Sequence, residues 1–189
     1  AVLVAATIII SIYSSWAKRN TPFSGIFVGI SFGLVPLGVW LAFEPAGILK
    51  AGPGLHPAGL MLAAMIAITD WGFTNCDASR DVKGDKEKGI PTTPAIYGIA
   101  ATAKMVAGFW IIGVGLSLAL GLAANLGWLY LAAAALAGGW LLWQNLDFVR
   151  HPTAKRGERL FYQSANYRAI LFAALITDVL LRAGLGLGA

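Results

Sequence analysis

The chain has 189 residues, of which 58% are hydrophobic and only 12% charged, with a formal net charge of +5. A soluble domain carries about 25% charged residues, so most of this chain cannot form a water-exposed surface, and a membrane protein is expected. One cysteine, Cys76, and two histidines, His56 and His151, exclude an internal disulfide and a zinc or iron–sulfur centre of the usual ligand count. The positive charge lies between apolar runs rather than on a soluble basic face, so nucleic acid is not an expected partner.

Apolar runs ended by Gly, Pro and charge clusters predict six helices. The first covers 1–16; Ala1 opens inside an apolar stretch with no basic leader, so an N-terminally truncated protein is expected. The second, 22–43, carries Gly25, Gly29 and Gly33, a four-residue spacing that lays a flat strip along one side for close approach of a neighbour. The third, 57–76, hands over to a charged segment. The fourth, 95–121, and the fifth, 126–149, hold the pairs Gly113/Gly115 and Gly138/Gly139, expected to thin helix surfaces in the same way. The sixth is 161–183. Crossing about 30 Å of hydrocarbon takes roughly 20 helical residues, so all but the first are long enough to span unaided. The runs lack the two-residue alternation of a membrane barrel. The expected fold is all-α, a polytopic helical bundle forming a single membrane domain over 1–189.

Basic residues support this helix count. Twelve, from Lys18 to Arg168, fall in the first, third and fifth connections and their flanks, against Lys50 and Arg182 on the other side. Lys and Arg concentrate in cytoplasmic loops, so these three connections, including the Asp-rich loop after the third helix, are predicted to be cytoplasmic.

The informative segment runs from Asp70 to Gly98, DWGFTNCDASRDVKGDKEKGIPTTPAIYG. Asp77, Asp81 and Asp85 recur every four residues, which on a helix offsets successive carboxylates by only about 40°. Three like charges on one face need cations nearby: Arg80, Lys83, Lys86, Lys88, or a metal. An oxygen-only site with few carboxylates suits Mg²⁺, which is held by one or two carboxylates together with phosphate oxygens. The EF-hand calcium pattern does not fit these spacings. A solvated, salt-bridged segment is the plain alternative, but acids placed where a membrane helix ends tend to be functional. A second cluster, Tyr13, Lys18, Arg19 and Thr21 in IYSSWAKRNTP, lies on the same predicted membrane side. Cations facing a metal cluster are what a diphosphate requires, although the same residues also fit the basic and aromatic fringe of a membrane helix. Asp70 is placed to reach a cavity or to pair with a neighbouring helix. Asp147 and Asp178, near helix ends, are read as interfacial or paired, Cys76 as a packing residue, and His56 and His151 carry no assigned role.

DVKGDKEKGIPTTPAIYG resembles the second aspartate motif of the UbiA superfamily of intramembrane prenyltransferases, and YSSWAKRNTPFSG resembles that family's tyrosine–lysine–arginine–threonine segment. The order and separation of the two segments agree with the family pattern. The resemblance covers essentially the whole chain, matched to the later part of a nine-helix fold. The first aspartate motif of the family has no counterpart here, and Ala78 stands where many relatives place their leading acid, with Asp77 one residue earlier.

The resemblance implies Mg²⁺-dependent transfer of a polyprenyl group from a polyprenyl diphosphate donor to a lipophilic or aromatic acceptor within the bilayer. That acceptor would be an aromatic ring, a tetrapyrrole or a glycerol phosphate lipid. It assigns metal binding to Asp77, Asp81 and Asp85, diphosphate binding to Tyr13, Lys18, Arg19 and Lys88, and catalysis to Asp81, Asp85 and Lys18. The bundle interior would house the prenyl tail. Little activity is expected of these 189 residues alone. The alternative is a non-catalytic membrane transporter or scaffold with a cation-binding acidic loop.

Overall fold

The computed structural model describes residues 1–43 and 57–185; Lys50 and His56 lie outside the described residues. Six long helices follow one another among those residues: α1 (Val2–Asn20), α2 (Gly25–Phe43), α3 (Pro57–Glu87), α4 (Thr93–Ala123), α5 (Trp128–Arg150) and α6 (Ala154–Gly184). They correspond one for one to the predicted helices, and no strand occurs among the described residues. Helices adjacent in sequence pack together, and α3 also packs against α6, so α3 is the hub of the bundle.

The glycine strip on α2 explains one side of that hub. A Cβ at Gly33 would lie 2.7 Å from the Ala63 carbonyl oxygen and 2.9 Å from Ala67 Cβ, and one at Gly29 would fall on the Ala67 carbonyl oxygen. Backbone therefore meets backbone across α2 and α3, as the four-residue spacing predicts. The other glycine pairs divide. Gly113 and Gly138 lie against Thr69 and Val114, whereas a Cβ on Gly115 or Gly139 would meet nothing within 4 Å, so only one member of each pair thins an interface.

The far side is held by an apolar core of Trp110, Tyr130, Leu141, Phe148, Leu160 and Leu171, all fully buried. A small polar knot sits within it. Tyr130 Oη donates to the Ser117 carbonyl and Tyr167 Oη donates to Ser117 Oγ, each at 2.9 Å, joining α4, α5 and α6 where no water is available to satisfy these groups. The outer surface exposes Leu122, Trp128, Leu136 and Trp143, as expected of a lipid-facing wall.

Two boundary expectations are corrected. First, α1 is long and apolar enough to span: it continues through a π turn to Asn20, giving 19 residues of sufficient hydropathy, while α5 falls short of the same measure. The deficit in α5 comes from its last turns, which carry Gln144, Asn145, Asp147 and Arg150. Second, the acidic segment is not a loop. α3 runs for 31 residues, about 46 Å, so it outreaches a hydrocarbon layer of about 30 Å by several turns. Arg80 pairs with Asp77 and Asp81 along this extension, and no proline interrupts it before Pro91. The helix ends in a Schellman turn: Ile90 N donates to the Asp85 carbonyl at 2.8 Å and Gly89 N to the Lys86 carbonyl at 3.2 Å, with Gly89 at φ +66°.

Candidate functional site

The extension of α3 carries the acids to a hollow of about 140 Å³ between α1, the link to α2, and the start of α4. Its lining includes Tyr13 and Lys18 from α1, Asp77, Asp81 and Asp85 from α3, and Thr92 and Thr93 from the α3–α4 junction. Two distant segments of sequence thus meet at one place, as their chemistry predicts.

Lys18 lies five residues after Tyr13. In a regular α-helix that separation turns a side chain by about 140°, which would point the two apart. Here Tyr13–Ala17 forms a π turn, and Lys18 N donates to the Tyr13 carbonyl in the i→i+5 manner. That pattern sets residues five apart nearly above one another. Thr93 Oγ1 donates to the Pro22 carbonyl, fastening the α1–α2 link to α4 beside the hollow.

Arg80 organises the acids. Its Nη2 lies 2.7 Å from Asp77 Oδ1, and its fork meets Asp81 through Nε–Oδ1 at 2.9 Å and Nη2–Oδ2 at 3.0 Å. The guanidinium rests 5.7 Å over the Phe161 ring of α6. Asp85 Oδ2 accepts from Thr92 Oγ1 at 2.9 Å. Among the described residues, Asp77 Oδ2 and Asp85 Oδ1 are engaged by no donor and stay available. No group of three or more His, Cys, Asp or Glu side chains converges on one point among the described residues. The acids therefore do not form a closed protein cage. They offer two open carboxylate oxygens beside a lysine, a donor set that fits Mg²⁺ shared with phosphate oxygens.

Other predicted contributors stand apart. Arg19 and Lys88 are exposed and do not line the hollow. Of the aromatic residues near it, Tyr13 lines it, whereas Tyr97 stacks on Phe23 at 5.7 Å and Phe73 packs tilted against Phe161 at 4.1 Å. Asp147 is paired with His151 and Arg156, and Asp178 accepts from Gly127 N at 2.6 Å, capping α5. Sequence reasoning did not single out Asn75 or Thr92, both of which line the hollow. Thr92 was within reach as one of the Thr pair closing the motif, but its partner Asp85 required the turn at Gly89.

Residues 1–176 match the UbiA prenyltransferase family. The chain belongs to this family. Over 183 residues it is 31% identical to the protoheme IX farnesyltransferase of Mycobacterium tuberculosis (strain H37Rv), covering 93% of this chain and 55% of the relative. It is 29% identical over 175 residues to protoheme IX farnesyltransferase 2 of Paramagnetospirillum magneticum, covering 90% and 56%. This UbiA chain thus spans about half the length of the curated relatives it matches. The solved structure reported for digeranylgeranylglyceryl phosphate synthase in membranes has the same fold, with a TM-score of 0.77 at 18% identity over 94% of this chain and 60% of that one.

Proposed function

We propose that this UbiA chain carries the diphosphate-binding site of a Mg²⁺-dependent enzyme that transfers a farnesyl group to protohaem. The observation that carries the reading is the meeting of Tyr13 and Lys18 with Asp77, Asp81 and Asp85 around one hollow at the end of a membrane helix. The tetrapyrrole acceptor and the C15 donor are supported by the farnesyltransferases among its relatives. Membership in a family of transferases favours catalysis over the transporter or scaffold alternative.

In this reading Asp77 and Asp85, whose Oδ2 and Oδ1 are open, would hold Mg²⁺, which when bound neutralises diphosphate charge and makes it a better leaving group, while both oxygens of Asp81 are taken by Arg80. Lys18 donates to the diphosphate oxygens from the opposite wall. Arg80 holds Asp77 and Asp81 in place through its two ion pairs, and Thr92 fixes the orientation of Asp85. Tyr13, which lines the same hollow, would offer an aromatic ring to the positive charge that develops on the departing allylic carbon. An apolar hollow of about 600 Å³ between α1 and α2, lined by Ala6, Leu34 and Gly38 toward the other end of α1, would be a seat for the prenyl tail. The distribution of Lys and Arg supports a diphosphate site at the cytoplasmic face.

The test is transfer of labelled farnesyl from its diphosphate to protohaem by full-length protein in lipid. The expected result is product formation that EDTA abolishes and Mg²⁺ restores. Absence of a farnesylated tetrapyrrole, or transfer indifferent to EDTA, contradicts the proposal.

A further inference from the structure

Asp70 precedes Asp77 by seven residues, close to two helical turns, so it faces the same side of α3 about 10 Å nearer the membrane interior. It is 5% exposed. Arg168 Nη1, from α6, donates to Asp70 Oδ1 at 2.9 Å, and the guanidinium is steadied 5.4 Å over the Phe73 ring. The pair is incomplete, however. Asp70 Oδ2 and Arg168 Nη2 are both buried and both lack a hydrogen-bond partner. Arginine and carboxylate commonly close as two parallel bonds; here one bond forms, leaving a donor and an acceptor open on the same ion pair. Unsatisfied buried polar atoms are rare enough that each asks for a reason, and ionisable groups at membrane depth are usually functional.

Asp70 and Arg168 also line a groove of about 740 Å³ between α2, α3 and α6. Its remaining lining among the described residues is apolar and includes Phe32, Trp40, Phe43 and Phe172. This size is within the range of small-molecule pockets, about 300–1,000 Å³, which typically pair an apolar wall with a few placed polar groups.

The geometry points to this groove as the seat of the acceptor, with Asp70 and Arg168 together taking one of its carboxyl groups. Both atoms are enclosed here, so the two side chains must turn toward the groove for a carboxylic acid to close both valences, its carbonyl oxygen accepting from Nη2 and its O–H donating to Oδ2. The low-dielectric surroundings favour that neutral form, and the site then stays balanced in charge. The assignment rests on the tetrapyrrole reading above, since protohaem presents propionic carboxyl groups on a flat apolar ring that suits the aromatic wall.

Protohaem IX and its dimethyl ester are titrated into full-length protein in nanodiscs without any prenyl donor, and the Soret band is followed. The expected result is that the ester binds at least tenfold more weakly than the diacid. In Asp70→Leu/Arg168→Met the two should bind alike; exchanging a whole buried ion pair for apolar residues is tolerated far better than removing one partner. Arg168→Lys, which keeps the charge but not the planar fork, should lose most of the preference while melting like the wild type. Palmitic acid, a carboxyl on a different apolar body, should not displace the diacid. Equal binding of diacid and ester by the wild type, a preference that survives both variants, or full displacement by palmitate overturns the assignment. Preference for the diacid without any farnesyl transfer supports the groove and sinks the transferase reading instead; transfer without the preference does the reverse.

Discussion

Replacing Gly33 by alanine tests how the helix that borders the site is held. The new Cβ would meet the Ala63 carbonyl oxygen at 2.7 Å and Ala67 Cβ at 2.9 Å, whereas ordinary contact begins at 3.4 Å, so α2 must withdraw from α3 by about 0.7 Å. The obstruction is backbone and Cβ, which have no rotamer to move to. A gap of about 0.5–1 Å forfeits roughly a quarter to a half of the dispersion energy of the atoms it separates, and overpacking costs about 1–3 kcal/mol. Against this stands the helix propensity of Ala over Gly, about 0.8–1 kcal/mol. The expected net change is a loss of up to about 2 kcal/mol. Gly139→Ala is the matched control, since its Cβ meets nothing within 4 Å and only the propensity gain remains. Thermal unfolding in one detergent should therefore place Gly33→Ala below the wild type and Gly139→Ala at or above it. Equal melting of the two variants would refute close backbone packing as the role of the strip.

Three further outcomes follow from single contacts. Thr92→Val removes the hydrogen bond to Asp85, worth about 0.5–1.5 kcal/mol; the Mg²⁺ concentration for half-maximal transfer should rise severalfold with little change in melting. Ser117→Ala leaves the buried Tyr167 hydroxyl unpartnered at a cost of about 1–3 kcal/mol, which should appear as a lower melting point with the fold retained by circular dichroism. Gly98 sits within α4 at φ 83°, ψ 159°, a region open essentially to glycine alone. Gly98→Ala should therefore cost about 1–3 kcal/mol and reduce transfer by shifting the Thr92–Thr93 wall, both measurable in the same preparations.

The acidic face was legible because a four-residue period on a helix survives any small error in helix placement, and the segment being helical through Glu87 brings Asp77, Asp81 and Asp85 to one hollow. The end of α3 was not. A drop in hydropathy marks where a helix leaves the bilayer, while its true end is set by backbone chemistry at Gly89 and Pro91, eleven residues beyond Cys76 for the last helical residue, Glu87. The π turn had no signal either: YSSWA shows nothing in composition that separates i→i+5 from i→i+4 bonding, yet it decides that Lys18 joins Tyr13. Long-range partners were equally hidden. Sequence left Asp70 open between a cavity and a neighbouring helix, and the fold gives it both, through Arg168 at 98 residues' separation.

The central claim is that Lys18 and the three acids grip a magnesium–diphosphate headgroup. It is tested most directly by equilibrium binding of radiolabelled farnesyl diphosphate to full-length protein in nanodiscs, with and without Mg²⁺, for the wild type, Asp85→Asn and Lys18→Ala. The account predicts Mg²⁺-dependent binding by the wild type that weakens at least tenfold in each variant while their melting points hold. Binding unchanged by Mg²⁺, or undiminished in both variants, would contradict it.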